Sequence, residues 1–206
     1  MADKAEMFWK WFAQHNGAYL NIDDLEEDAR EQLLDELLKH LHDYCDQLYF
    51  ETGETPAGNP ELIITAEGDT DFFDWVECLV DNAPAIGNWS FIAFAQPHGG
   101  RNVINFEDVE LKPAEMWFLP LENKNQPASI GIKVCMPNYD VVKGSQWFKA
   151  AVYKVLDTVL GEKSFALDIE YVGYDKLPDD PAEKGMIELV ELPAYIKWKK
   201  SKLAKP

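Results

Sequence analysis

The sequence lacks the features that mark a membrane or secreted protein. Its longest apolar stretches fall well short of the roughly 18–20 residues that cross a lipid bilayer. The opening residues, MADKAEMFWKWF, do not form a basic segment followed by an apolar one, as a secretory signal peptide would. We therefore expect a cytoplasmic protein that does not associate with membranes.

Cysteine is scarce, and its spacing does not suggest a disulfide framework or a metal site. There are 3 cysteines, at positions 45, 78 and 135, and no CxxC pair. Each stands in an apolar context, as in WVECLV around Cys78. This pattern predicts free, buried thiols in a reducing compartment.

Basic residues are few in the first half of the chain. Residues 1–100 hold 4 Lys and Arg against 21 Asp and Glu, whereas residues 101–206 hold 15 against 16. A half with this excess of negative charge repels phosphate, so we expect no nucleic-acid binding. It favours a basic protein partner instead. The last ten residues, KWKKSKLAKP, carry five lysines and no acid, and we expect a solvated tail there.

Catalytic signatures are also missing. The chain contains no GxSxG, HExxH or GxGxxG pattern. Their absence favours a non-catalytic protein without a cofactor.

Apolar and aromatic residues, by contrast, are plentiful enough for a packed core. Hydrophobic residues make up 47% of the chain, with 7 Trp, 11 Phe and 8 Tyr. Near the start, FWKWF places Phe8, Trp11 and Phe12 on one face of a helix. We interpret this segment as a short helix that fills a groove in the core. The alternative is an exposed aromatic patch that binds a partner or a second copy.

The first half has the pattern of a helix followed by β-β-α-β. The long amphipathic helix covers residues 21–45, with Asn21 or Asp23 as its cap and acidic residues at its start, where the helix dipole favours them. The next segments, in order, are a hairpin of QLYFETG and ELIITA, a helix over DTDFFDWVECLVDNAP, and the strand NWSFIAFAQ. That strand is nearly all apolar, which is typical of the centre of a sheet.

The second half repeats this order of elements. Two strands, EMWFLPLE and SIGIKVCM, precede a helix over SQWFKAAVYKVLDTVLGE and a strand over FALDIEYVGY. In that strand, alternate residues (Phe165, Leu167, Ile169 and Tyr171) would share one face. In the helix, the apolar residues at helical spacing are predicted to face inward: Phe148, Ala151, Val152, Val155, Leu156 and Val159. The segment IELVELPAYIKWKK fits either a last strand or a helix broken at Pro193.

These patterns predict an α+β fold with a mostly antiparallel sheet and packed helices. The halves would comprise residues 1–100 and 101–206 and form one compact unit. Each half could adopt a ferredoxin-like β-β-α-β arrangement.

The turn Glu67-Gly68-Asp69, between a strand and a helix, is the first candidate site. Its two carboxylates could bind a divalent cation, with Asp71 and Asp74 nearby. Alternatively, Gly68 forms the turn and Asp69 or Thr70 caps the helix. The capping interpretation explains every residue of the turn.

Two histidine-containing segments are further candidates. His40 and His42 stand beside Cys45, but residues two apart on a helix point in different directions, so we do not expect them to share a metal. His98-Gly99-Gly100-Arg101 follows an apolar strand. There His98 could act as an acid or base, and Arg101 could bind a carboxylate.

Several phrases together resemble a known family. FWKWF, ELIITAEGD, VECLVDNAPAIGNWSFIAF and LGEKSFALDIEYV are similar to segments of a family of bacterial cytoplasmic proteins of unknown function, typical of Bacteroidetes-like genomes. The family shares a W-x-W-F opening, an ELIITAxG strand and turn, an AP-x-x-x-x-W-x-F segment and a late LGE. The resemblance covers most of the chain and rests on apolar and turn residues. It implies a shared fold and assigns no catalytic residue.

The sequence therefore favours a non-catalytic binding or regulatory protein whose acidic surface meets a basic protein. The binding candidates are Glu67, Asp69, His98 and Arg101. The alternative is a metal-assisted hydrolase with its site at the Glu67/Asp69 turn or the His98 loop.

Overall fold

The computed structural model describes residues 1–100, 102–127 and 129–203. It divides the chain into two compact units, Met1–Ala95 and Gln96–Pro206, which we call unit 1 and unit 2. Each unit combines helices with small sheets, so the predicted α+β class is confirmed. That the two halves form one compact body stays a prediction.

Unit 1 holds three helices and a three-stranded sheet in its described elements. The helices are α1 (Ala2–His15), α2 (Glu27–Tyr44) and α3 (Phe73–Asp81), and the strands are β1 (Tyr49–Glu54), β2 (Pro60–Thr65) and β3 (Ser90–Ala93). Short 3-10 turns cover Asn16–Tyr19, Ile22–Asp24 and Thr70–Phe72. β1 and β2 form the predicted antiparallel hairpin, and β3 joins β2 in parallel.

The strand β3 lies at an edge of its sheet. Its apolar sequence had predicted a central position, and that prediction is wrong. The strand order is β1-β2-β3, so β2 occupies the centre and β3 an edge of this sheet. The apolar composition of β3 has another cause, since Phe91 packs against the rings of Trp9 and Phe12, with ring centroids 4.4 and 5.7 Å apart. Helix packing, rather than a second neighbouring strand, explains this apolar run.

The FWKWF segment belongs to α1 and packs in the core. Phe8, Trp9 and Phe12 are 3%, 2% and 0% exposed. The indole Nε1 of Trp9 donates a hydrogen bond to the carbonyl oxygen of Leu79 in α3, at 2.7 Å. Trp9 is buried more deeply than Trp11, which is half-buried and stacks on His40. The burial of three of the four rings contradicts the alternative of an exposed aromatic patch for docking or self-association.

Helix α2 starts later than the sequence predicted. It begins at Glu27, and its N-cap residue, Glu26, makes no side-chain capping hydrogen bond. Neither Asn21 nor Asp23 caps it, because Ile22 is buried and Ile22–Asp24 form a separate 3-10 turn. Leu25 and Glu26 separate the turn from the helix, and Leu25 has an extended backbone.

Unit 2 contains two sheets and four helices in its described part. A two-stranded sheet pairs β4 (Ile104–Phe106) with β5 (Val109–Leu111). A four-stranded sheet contains β6 (Trp117–Leu121), β7 (Gly131–Met136), β8 (Tyr171–Lys176) and β9 (Ile187–Glu188), in the order β8-β7-β6-β9. The helices are α4 (Tyr139–Val142), α5 (Phe148–Leu160), α6 (Glu162–Asp168) and α7 (Leu192–Leu203).

The predicted β-β-α-β order occurs in both units. In unit 2, β6 and β7 pair antiparallel and β7 and β8 pair in parallel, which repeats the pairing of β1, β2 and β3. In each unit the parallel strands are direct neighbours, whereas the split βαβ unit of a ferredoxin-like fold places another strand between them, so neither unit has the ferredoxin-like arrangement. The described strand pairings are mostly antiparallel, as predicted.

Helix α5 supplies much of the core of unit 2. All six residues predicted to face inward are buried: Phe148, Ala151, Val152, Val155, Leu156 and Val159. Gly161 ends the helix with φ +75°, a conformation that favours glycine.

The strand predicted over FALDIEYVGY is wrong in its first part. Residues Glu162–Asp168 form α6, and β8 begins at Tyr171. The helix packs Phe165 against Tyr153 of α5, with ring centroids 5.3 Å apart. Phe165 is therefore apolar because it packs on α5, and not because it lies on the buried face of a strand.

The C-terminal segment is a helix rather than a solvated tail up to Leu203. Pro193 lies in the first turn of α7, where its missing N–H breaks no helical bond, so the helix is not broken there. Lys199 Nζ donates to the carbonyl oxygen of Ser129 at 2.8 Å, and Lys200 Nζ lies 2.6 Å from a carboxylate oxygen of Asp168. Residues 204–206 lie outside the described residues.

The three cysteines are free thiols, as predicted. Cys45 and Cys135 are buried, and Cys78 is half-buried.

Candidate functional site

Unit 1 contains a cavity of about 470 Å³ at one end of its sheet. Two parts of the chain enclose it, the 3-10 turn Ile22–Asp24 and the end of the β1–β2 hairpin around Glu54 and Pro60. The side chains on which its chemistry depends are Tyr19, Asp23, Asp24, Thr52, Glu54 and Trp89.

Local backbone hydrogen bonds hold the walls of the cavity. The amide of Asp24 donates to the carbonyl oxygen of Asn21 at 3.1 Å and closes the 3-10 turn. On the other side, Glu54 pairs with Pro60 at the end of the hairpin, and Thr55 N–H donates to Asn59 O at 2.8 Å. The acidic side chains therefore project from backbone that is already fixed.

Two aromatic residues complete the lining. The phenol of Tyr19 donates to the carbonyl oxygen of Leu33 at 3.1 Å. Burial, with a smaller effect of Glu36, raises the pKa of Tyr19 to about 12, so this phenol is neutral at physiological pH. Trp89 packs edge-on against Phe12 at 5.1 Å, and its buried Nε1 finds no acceptor in the described chain.

The charge of the cavity is entirely negative. Asp23, Asp24 and Glu54 line it, and no Lys, Arg or His does so among the described residues. All three carboxylates are exposed, and their side chains make no hydrogen bond or ion pair with the described part of the chain. An occupant would therefore meet three uncompensated negative charges.

The same imbalance extends over the rest of unit 1. All but three of its 21 Asp and Glu residues are exposed. Its four cations, Lys4, Lys10, Arg30 and Lys39, form no ion pair with a carboxylate of the described chain. The acidic excess seen in the sequence is thus a solvent-facing excess and is not neutralised inside the unit.

The Glu67-Gly68-Asp69 turn has the geometry of a helix cap. Asp69 Oδ1 accepts a hydrogen bond from the amide of Asp71 at 3.1 Å, which caps the 3-10 turn before α3. Thr65 Oγ1 accepts from the amide of Glu67 at 2.8 Å. Glu67 and Gly68 have φ of +50° and +86°, so the chain reverses through two left-handed residues. The turn follows the end of β2 at Thr65, whereas the cavity lies at the Pro60 end.

The His98 loop is shaped by packing within unit 2. The amide of His98 donates to the carbonyl oxygen of Thr158 in α5 at 2.8 Å, and the His98 side chain is exposed. Gly100 is buried, with φ +61°, and a Cβ there would lie 2.8 Å from Val159 Cγ2. Close approach to α5 therefore explains the second glycine. Arg101 lies outside the described residues.

The two histidines of α2 contact other groups of the protein. His40 stacks on Trp11, and His42 Nε2 lies 3.1 Å from the carbonyl oxygen of Leu48. Across the described ranges, no group of three His, Cys, Asp or Glu residues is close enough to hold a metal ion.

Of the predicted site residues that the structure describes, Glu67 and Asp69 fall in unit 1 and His98 in unit 2. The cavity was not predicted from the sequence. Its only local signals were the Asp23-Asp24 pair and the turn that ends β1, and the first was interpreted as the start of a helix.

Comparison of the chain with protein-family models, with curated proteins and with solved structures finds no match. The resemblance to the bacterial family of unknown function therefore stays a prediction. None of the helices in the described part of the chain has the length and hydropathy to cross a lipid bilayer.

Proposed function

We propose that this chain is a non-catalytic binding or regulatory protein of the cytoplasm whose unit 1 binds a basic surface on a partner protein. The observation that carries the proposal is the unneutralised, solvent-facing acidic excess of unit 1. Opposite charge on a partner would speed its diffusional encounter and select it over acidic proteins.

The helix dipole accounts for part of this acidity. It favours Glu27 and Asp28 in the first turn of α2, but its effect falls off beyond that turn. Asp35, Glu36 and Asp43 lie further along the helix and are also exposed. Asp43 lies 3.8 Å from His40 Nδ1, whereas the side chains of Asp35 and Glu36 make no hydrogen bond or ion pair with the described chain. A binding role would give these exposed acids a function.

The test is partner capture from a lysate of the native host at low and high salt, read by mass spectrometry. The immobilised proteins are the wild type and a variant with Asp35→Asn, Glu36→Gln and Asp43→Asn. We expect a basic partner that the wild type retains at about 0.05 M salt and releases at 0.5 M, because exposed charges are screened within about 10 Å at 0.1 M. The variant should retain less of it at low salt.

A matched control removes three exposed acids from unit 2, through Asp179→Asn, Asp180→Asn and Glu183→Gln. It changes the net charge equally and should retain the partner as the wild type does. Equal loss in both variants, or a partner held at high salt, would contradict a specific acidic surface on unit 1.

A further inference from the structure

We infer that the cavity between the Ile22–Asp24 turn and the end of the β1–β2 hairpin takes an arginine side chain of a protein partner. The inference rests on the proposed function and names the group that would be recognised. Five properties of the cavity carry it: its charge, its shape, the separation of its carboxylates, its aromatic lining and its rigidity.

Charge selects a cation. Asp23, Asp24 and Glu54 line the cavity without a compensating base and without side-chain partners in the described chain. A second cavity of about 420 Å³, beside α1, differs in this respect, since Lys10 lines it together with Asp3 and Glu6. The cavity at the sheet end is therefore the stronger attractor for a positive group.

The shape of this cavity separates it from the rest of the acidic surface. Its volume of about 470 Å³ lies within the roughly 300–1,000 Å³ of pockets that hold small ligands. A long side chain can enter it, and the adjoining backbone of a partner can rest at the rim. Acids on the outer face of α2 provide charge without such a recess.

The spread of the carboxylates favours a guanidinium over a metal ion. A bound Ca²⁺ or Mg²⁺ needs several oxygens converging at about 2.0–2.6 Å. The described carboxylates do not form a group close enough to do this. A guanidinium carries five N–H donors on a planar fork, so it can bond acceptors that are set apart.

The aromatic lining favours arginine over lysine. Trp89 contributes a partly exposed ring to the wall, whereas Tyr19 is 3% exposed and stacks on Phe12. A guanidinium is weakly hydrated and packs well against aromatic faces, whereas an ammonium is a compact and strongly hydrated charge. An arginine can thus use both the carboxylates and the ring of Trp89.

The walls need little rearrangement to bind. Asp24 N–H to Asn21 O, Tyr19 Oη to Leu33 O and Thr55 N–H to Asn59 O fix the backbone and one ring. Binding to a preformed site avoids much of the ordering cost of association.

The experiment titrates the full-length protein with three capped pentapeptides that differ at the central residue: Gly-Gly-Arg-Gly-Gly, its lysine analogue and its citrulline analogue. Citrulline keeps the shape of arginine and removes the charge. The readout is the NMR resonance of the Trp89 indole N–H, assigned by its loss in Trp89→Phe. We expect saturable shifts with the arginine peptide, binding at least threefold weaker with lysine, and none with citrulline.

Two variants with equal charge change locate the site. Asp24→Asn with Glu54→Gln lies in the cavity and should weaken arginine binding at least tenfold. Asp35→Asn with Asp43→Asn lies on α2 and should change it less than threefold. Equal weakening by both pairs, or equal binding of arginine and lysine, would overturn the inference.

The same variants separate this inference from the proposed function. Salt-sensitive partner capture that survives Asp24→Asn with Glu54→Gln, together with no arginine binding, would reject the cavity and leave the acidic surface in place. Arginine binding in the cavity without any salt-sensitive partner would reject the protein-binding role and assign the cavity to a free guanidinium compound, which also overturns the inference.

Discussion

The phenol of Tyr44, at the end of α2, donates a hydrogen bond to the carbonyl oxygen of Trp75 in α3 over 3.0 Å. Tyr44 is 2% exposed. Burial, aided by a hydrogen bond with Cys78, raises the pKa of this phenol well above its ordinary value. The bond ties two helices of unit 1 together and makes their contact depend on a titratable proton.

This relationship predicts a loss of stability in alkali. Below pH about 10, Tyr44 is protonated in both the folded and the unfolded states, and its contribution to the free energy of unfolding is complete. Above that pH the unfolded chain loses the proton while the folded chain keeps it, so stability falls as pH rises. Urea unfolding at several pH values between about 8 and 11 measures the slope. Tyr44→Phe should make the slope shallower and leave the part that comes from other buried phenols such as Tyr19, and an unchanged slope would contradict the assignment.

Asp69 should behave as a capping residue. Asp69→Ala removes the acceptor for Asp71 N–H and should lower the free energy of unfolding by about 1 kcal/mol. Asp69→Asn keeps an acceptor oxygen and should cost much less. Glu67→Ala, at a side chain with no bond in the described chain, should stay within about 0.5 kcal/mol.

A metal site at this turn would give another pattern. A divalent cation bound to the native state would raise the melting temperature. Glu67→Gln and Asp69→Asn would both abolish that rise. Thermal denaturation with and without Mn²⁺ therefore separates capping from metal binding, and we expect no rise.

Gly100 should tolerate a methyl group less well than its neighbour Gly99. Both have positive φ, so Gly99→Ala should cost about 1 kcal/mol through backbone strain alone. Gly100→Ala adds a Cβ at 2.8 Å from Val159 Cγ2 and should cost about 2–4 kcal/mol in total. Urea unfolding of both variants gives the comparison. Equal costs would show that the contact with α5 is not tight.

The Lys200–Asp168 pair should anchor the C-terminal half of α7. The Asp168 side chain is 11% exposed, and the pair lies at 2.6 Å, so Lys200→Ala leaves a largely buried carboxylate with a weaker set of partners. We expect a loss of about 1–2 kcal/mol and faster amide exchange over the last turns of α7. Lys197→Ala, at an exposed lysine of the same helix, is the control and should stay within about 0.5 kcal/mol.

Long periodic elements were predictable from the sequence, because their apolar residues repeat over several turns. Helix α5 is the clearest case, since each inward residue named from the pattern is buried. The short helix α6 was not predictable in this way. Its seven residues make less than two full turns, and Phe165, Leu167, Ile169 and Tyr171 alternate as they would in a strand.

The position of β3 was mispredicted because sequence cannot show what covers an apolar strand. Phe91 is apolar because α1 packs on it, and α1 lies about 80 residues earlier in the chain. The capping function of Asp69, by contrast, depends on a residue two positions away. Capping was therefore one of the two interpretations that the sequence supported for this turn.

The cavity was not predictable either, because the residues that line it are far apart in the sequence. Asp23 and Asp24 are some 30 residues from Glu54 and more than 60 from Trp89, and the hairpin register and the preceding turn bring them together. Local patterns drew attention to the other end of β2, where three adjacent residues form an acidic turn.

The contact between Trp9 and Phe91 also has a consequence for synthesis of the chain. A ribosome that adds 5–20 residues per second needs roughly 4–16 s to pass from the first ring to the second. During that interval Phe8, Trp9 and Phe12 have been made, but the strand that covers two of these rings does not yet exist. Exposed apolar surface of this kind attracts chaperones and promotes aggregation. The newborn chain therefore exposes the aromatic residues of its first helix until the strand that covers two of them has been made.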